Sequence, residues 1–194
     1  MAKIGVVLAG CGVYDGSEIY ESVITLLTLD RAGVEVVCMA PDVEQGVVNH
    51  LTGDAVEGAS RNVLEEAARI ARGNISNIAE IKAADIDALI IPGGFGAAKN
   101  LCNFAVKGPE CEVNPEVARL IREIVAAKKP LGAICIAPAV VSKVLGEDKV
   151  AHQLTIGTDA GTAQALTSMG STHVDCDVRN CVIDKDNKLV TTPA

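Results

Sequence analysis

Tryptophan is absent from this chain, and all aromatic residues together make up only 2% of it. A core of stacked rings is excluded, so Val, Ile, Leu and Ala must fill it, as they do in parallel sheets covered by helices on both faces. Positive charge is scarce as well: 17 Lys and Arg face 25 Asp and Glu, a formal net charge of −8. A nucleic-acid partner is excluded on that count, because phosphate binding needs clustered cations. No uninterrupted apolar run approaches the roughly 20 residues of a membrane-spanning helix. The N-terminal MAKIGVVLAGCGVYDG has a short apolar run and no small-residue cleavage site, so neither a span nor a secretory signal is read there. The expectation is a soluble cytoplasmic protein acting on small molecules, with no membrane role. A mitochondrial matrix protein whose transit peptide has been removed fits the same facts.

Disulfide-scaffold spacing is also missing. The seven cysteines at 11, 38, 102, 111, 135, 176 and 181 are odd in number and scattered, which points to reduced thiols, most of them buried. A chain of 194 residues that is 49% hydrophobic has the material for one domain spanning 1–194.

The elements alternate along that domain. Strands are read at 3–9, 34–40, 86–94, 131–134 and 154–157, and helices at 17–33, 60–73, near 97–105, at 114–129, 136–145 and 161–170. Ser60 and Asn114 read as N-caps, and Pro115 sits at a first helical position. The tail after residue 171 reads as strands joined by a turn at DKDNK. Repeated strand–helix units give an α/β fold: a mostly parallel open sheet with helices on both faces. Function in such sheets gathers at the carboxyl ends of the strands. Three of those ends carry unusual sequence: AGCGVYDGSE after the first strand, PGGFGAAKN at the 86–94 strand and CIAP after 131–134.

Cys135 lies where the chain turns from strand to helix. A nucleophile on such a turn is pushed out at the sheet edge, with the next N–H aimed at any oxyanion that forms. A helix beginning at Ile136 would lower the thiol pKa through its positive end. Ala133 and Ala137, two residues either side, are small enough for the turn. A small apolar residue filling space is the other reading, and the local pattern leaves both open. Gly94 could supply a second oxyanion donor beside Ile136. Glu18 and Glu21, one turn apart at the start of the first helix, could reach the thiol, or they could simply be solvated acids at a helix start.

Other patterns carry less. The glycines of GCGVYDG imitate a dinucleotide fingerprint with the third glycine late, and MAPD is a poor ribose-binding end. Lys99 lacks the preceding glycine of a phosphate-binding loop. His173, Cys176 and Cys181 have no fourth partner for zinc, and no metal site is read. His50 and His152 stand alone in loop-like sequence.

Taken together, GCGVYDGSEIYE, SRNVLEEAARIARG, PGGFGAAKNL, GAICIAP and VTTPA resemble the ElbB-type branch of the DJ-1/PfpI superfamily, whose fold is related to class I glutamine amidotransferases. That branch is labelled glyoxalase-like or isoprenoid-biosynthesis protein, and the resemblance covers nearly the whole chain. It implies a flavodoxin-like three-layer sandwich, a homodimer, Cys135 as the family's cysteine, Glu21 as its acid and Gly93–Gly94 as its turn. Glu18 is a secondary candidate. Many relatives carry a histidine where this chain has TIGTDAGTA, with Gly157 or Thr158 in its place, so a Cys–His–acid hydrolase loses its base. Relatives also continue into a further C-terminal helix. The activity implied is cofactor-free conversion of a small α-oxoaldehyde, glyoxal or methylglyoxal, to glycolate or lactate. A redox-sensing or partner-binding protein with an oxidisable Cys135 is the alternative, and an amidotransferase-like subunit would need the missing histidine.

Overall fold

The computed structural model describes residues 1–193; Ala194, the last residue of the VTTPA motif and of the 1–194 domain reading, lies outside the described residues. Strand β1 (Lys3–Val7) leads through a glycine-rich loop to α1 (Ile19–Arg31) and then β2 (Glu35–Ala40). A hairpin follows, β3 (Glu44–Val48) with β4 (Ala55–Asn62), and passes directly into α2 (Val63–Ile70). After the short β5 (Ser76–Asn77) come β6 (Ala88–Ile91), α3 (Phe95–Lys99), α4 (Phe104–Lys107), α5 (Pro115–Ala126) and β7 (Leu131–Ile134). The remainder is α6 (Pro138–Glu147), β8 (Gln153–Leu154), α7 (Ala160–Ser168), β9 (Thr172–His173), β10 (Val182–Asp184) and β11 (Leu189–Thr192).

The main sheet has seven strands in the order β10-β11-β7-β6-β1-β2-β5, and every neighbouring pair is parallel except β10–β11. Alternation along the central strand sorts its side chains between two layers. Val6 and Leu8 face one way, into a cluster with Val63 and Ala67 of α2 and Leu26 and Leu29 of α1. Val7 and Ala9 face the other, into the larger core with Leu120, Ile121 and Ile124 of α5 and Val140, Val141 and Val144 of α6. This is the flavodoxin-like α/β sandwich.

Helix α5 forms as its sequence reads: Asn114 Oδ1 accepts from the N–H groups of Glu116 and Val117 at 3.0 and 3.3 Å, satisfying donors that Pro115 leaves at the first turn. The expected helix at 60–73 is shorter. Ser60 is no cap; it pairs with Gly46 in the hairpin, and Asn62 caps α2 by accepting from Glu65 N–H at 3.0 Å. The hairpin falls in a segment whose glycines and proline mask strand periodicity. It is pinned to the loop after β1: Val48 N–H donates to Asp15 Oδ2 at 2.8 Å, and Tyr14 N–H donates to His50 Nε2 at 3.3 Å.

Because β7, β6 and β1 are adjacent and in register (Gly5 with Leu89, Leu89 with Leu131), their carboxyl ends lie side by side. The three loops singled out in the sequence therefore converge. The glycine-rich loop after β1 is latched onto the β6 loop by Phe95 N–H donating to Val13 O and Gly96 N–H to Gly16 O, both at 2.8 Å.

Candidate active site

The β7–α6 connection is tighter than a helix starting at Ile136 would make it. Ala137 N–H donates back to Ile134 O at 2.9 Å, and α6 begins only at Pro138. Closing that turn forces Cys135 to φ 60°, a left-handed conformation that costs a non-glycine residue of the order of 1–3 kcal/mol. The strain lifts the thiol off the sheet edge. Its side chain lies beside Glu21 across Gly93 and lines one cavity with Glu21, Gly94 and Ile136, whose N–H groups and carboxylate act on the thiol's charge.

Glu21 arrives from the first turn of α1. That helix start is fixed by Glu18, whose N–H donates to Gly93 O at 2.9 Å and whose Oε2 accepts from Glu21 N–H at 2.7 Å. Glu18 is thus the N-cap of α1 as well as a wall of the site. Gly93 N–H donates to Glu21 Oε2 at 2.7 Å, so it holds the acid and is not free to face a substrate; the free donors are those of Gly94 and Ile136. Gly93 must be glycine for want of room: a Cβ there would lie 2.5 Å from Cys135 Cβ and 2.7 Å from Glu21 Oε2. Gly94 needs its φ of 92°, and a Cβ there would meet the backbone of Glu18 and Gly16.

The charge state differs from the expectation of a depressed thiol pKa. Burial first, and then the neighbouring Glu21 carboxylate, push Cys135 up to about 11, against the smaller opposing pull of the Gly94 and Ile136 N–H groups. Burial likewise raises Glu21 above the usual carboxylate range, with the Gly93 N–H and the Cys135 thiol pulling the other way. Near neutrality Cys135 therefore rests as the protonated thiol beside Glu21. A raised folded-state pKa favours the protonated acid, so this group's contribution to stability is present at low pH and is lost as pH rises through that pKa. Glu21→Gln, a mimic of the protonated acid, is therefore expected to leave Tm at pH 7.5 unchanged or raise it by a few degrees, on the scale of about 1 kcal/mol. A fall of more than about 4 °C in a thermal melt would contradict this.

Above the thiol opens a cavity of about 480 Å³, lined by Glu18, Glu21, Gly94 and Cys135 and by apolar walls that include Val13, Phe95, Phe104 and Ile136. The single helix expected near 97–105 is split into α3 and α4, and Phe104 and Ala105 of α4 form one wall of the cavity.

The histidines are engaged elsewhere. His152 is buried with Nε2 2.6 Å from Ser171 Oγ and Nδ1 2.7 Å from Val150 O. His173 Nε2 accepts from Ile156 N–H at 3.3 Å, and His50 closes the hairpin. Thr158 is exposed, and Gly157 N–H is taken by Thr155 Oγ1 at 2.9 Å. Among the described residues no three His, Cys, Asp or Glu side chains cluster as metal ligands.

A parallel sandwich with a strained cysteine on the strand–helix turn and a carboxylate against its sulfur defines a class: the flavodoxin-like domains related to class I glutamine amidotransferases. Within it, the model of the DJ-1/PfpI family matches residues 7–194, and the chain belongs to that family. It is 50% identical over 199 residues to the rat ES1 protein homolog, mitochondrial, covering 100% of this chain and 75% of the rat protein. It is equally 50% identical over 199 residues to the human glutamine amidotransferase-like class 1 domain-containing protein 3, mitochondrial, covering 100% of this chain and 74% of the human one. Among solved structures, the isoprenoid biosynthesis protein with amidotransferase-like domain from Ehrlichia chaffeensis superposes with a TM-score of 0.90 at 42% identity, covering 98% of this chain and 87% of that one.

Proposed function

We propose that the chain is a cofactor-free, glyoxalase-like lyase that converts glyoxal or methylglyoxal to glycolate or lactate. The observation that carries this reading is Cys135 at a strained turn beside Glu21, with both side chains on the wall of one cavity together with Gly94 and Ile136. A thiol held this high is a poor resting thiolate. It becomes nucleophilic if a base takes its proton during attack, and Glu21 is placed to do so.

In this mechanism the Cys135 sulfur adds to an aldehyde carbon while its proton passes to Glu21. The oxyanion formed is held by Gly94 and Ile136 N–H and takes the proton back from Glu21, giving the hemithioacetal and restoring the carboxylate. Glu21 then removes the hydrogen from the sulfur-bearing carbon and returns a proton to the neighbouring carbon, through an enediol. The product is a thioester, which water hydrolyses to the hydroxy acid, restoring the thiol. Glyoxal and one water give glycolate and one proton, with no external oxidant or reductant.

The same charge state disfavours the sensor reading, since peroxide selects accessible thiols with low pKa. Glu21→Gln is expected to lower kcat for glycolate formation by at least about 10²-fold, the scale of a lost general base. In the wild type, kcat/KM should rise with pH through the elevated Glu21 pKa. A variant retaining more than a third of wild-type kcat would remove Glu21 from the mechanism.

We further read the chain as one domain that forms a homodimer. Helix α1 supports this: Tyr20, Val23, Ile24 and Leu27 form an apolar stripe on its outer side, with Ile24 60% exposed, and such patches mark interfaces. Ile24→Asp is expected to shift the sedimentation coefficient from dimer to monomer; an unchanged coefficient would place any interface elsewhere. The mitochondrial names of the rat and human relatives support the mitochondrial compartment over the cytoplasmic one.

A further inference from the structure

The cavity over Cys135 is much larger than a two-carbon aldehyde needs, and its charge is of one sign. A volume of about 480 Å³ falls in the range that encloses ligands of ten or more heavy atoms. Its apolar walls are Val13, Phe95, Ala98, Phe104, Ala105 and Ile136, and Thr162 adds one neutral hydroxyl. Glu18 and Glu21 are the only ionisable side chains on the lining besides the thiol, and among the described residues no Lys, Arg or His belongs to it. Lys99 is turned outward: its Nζ donates to Tyr14 O at 2.9 Å and lies 5.2 Å from the centroid of the Phe95 ring. Glu18 cannot swing aside without cost, because its Oε2 caps α1 through Glu21 N–H.

We propose that this site selects neutral carbonyl compounds bearing a bulky apolar group, aryl or branched alkyl, on the oxo carbon, and that Glu18 turns anionic substrates away. An anion entering the cavity would leave water for apolar walls and two carboxylates, with no cation to compensate. An apolar substituent gains instead from the Phe95, Phe104 and Ile136 surfaces it covers. The proposal deepens the reading of Cys135 as a carbonyl-attacking thiol, but its test needs no turnover.

Three alkylating probes with one reactive group report on the cavity: iodoacetamide (small, neutral), iodoacetate (small, anionic) and iodoacetanilide (neutral, with a phenyl ring). In each, the sulfur displaces iodide as the thiol proton is lost to base. Rates at Cys135 are read by peptide mass mapping, which separates it from the other six cysteines, and divided by the rate of a free cysteine peptide at the same pH. On that scale iodoacetanilide is expected about tenfold above iodoacetamide, and iodoacetate about tenfold below it. Glu18→Gln keeps an oxygen acceptor for Glu21 N–H and should narrow the acetate-to-amide gap to about threefold. Ala105→Phe, at the exposed rim of the cavity, should remove most of the anilide advantage.

Normalised rates within twofold of one another for all three probes would overturn the proposal, as would an acetate gap that Glu18→Gln leaves intact. The expected order in a protein that does not turn over glyoxal would support the cavity's selectivity while removing the glyoxalase reading. Glyoxal turnover with indifferent probes would do the reverse.

Discussion

Gly93→Ala is expected to reduce glycolate formation by at least about 100-fold, although it adds a single methyl group and changes no catalytic atom. That methyl would sit 2.5 Å from Cys135 Cβ and 2.9 Å from Ile134 O, and neither atom is the far end of a flexible side chain. The β6 loop and the cysteine turn must separate, and the Gly93 N–H that holds Glu21 Oε2 at 2.7 Å moves with them. Displacements of this size cost about two orders of magnitude where a reacting pair must be held in contact. Overpacking should also cost about 2 kcal/mol, lowering Tm by roughly 4–8 °C. Gly33→Ala separates the two effects. Gly33 ends α1 at φ 67° with nothing within 4 Å of a built Cβ, so its substitution strains the backbone but leaves the site alone. Activity in Gly93→Ala within threefold of wild type would mean that the thiol–carboxylate contact does not set the rate.

Cys135→Ala has the larger chemical consequence. Turnover should fall by a factor of at least about 10³, to the level of the solution reaction, because no other group can form the covalent intermediate. Stability should hardly change, since Ala keeps the Cβ and the same left-handed turn. Cys135→Gly goes further: at φ 60° glycine is relaxed where cysteine is strained, so Tm is expected to rise by a few degrees while activity stays lost. Both parts are checked by product assay and thermal melt on the same samples. The strain at residue 135 would then count as stability given up to present the thiol.

Much of this arrangement was legible in the residues. β7 falls at 131–134 as read, and the Asn114–Pro115 start of α5 is where the capping pattern puts it, because both depend on local chemistry. The convergence of three loops follows from sheet order, which alternating strands and helices already imply. Spacing alone left Glu18 and Glu21 open, since they differ by one helical turn; the family resemblance pointed to Glu21, the acid that the Gly93 N–H holds, while Glu18 caps the helix. The expected fall in thiol pKa was overturned because α6 starts two residues late, leaving burial and the Glu21 charge to dominate. The β3–β4 hairpin went unread because glycines interrupt its alternation and its partner contacts are distant in sequence, such as Val48 with Asp15.

The most direct test of the account is glycolate production from glyoxal in D₂O, by the wild type beside Cys135→Ala. The proposed relay passes through Glu21, whose proton exchanges with solvent. Saturable turnover is therefore expected, abolished in the variant, with one deuterium on the hydroxymethyl carbon of the product. Turnover with only protium at that carbon would indicate a direct hydride shift and remove Glu21 from the relay. Turnover no greater than that of Cys135→Ala would contradict the assignment of Cys135 as the nucleophile.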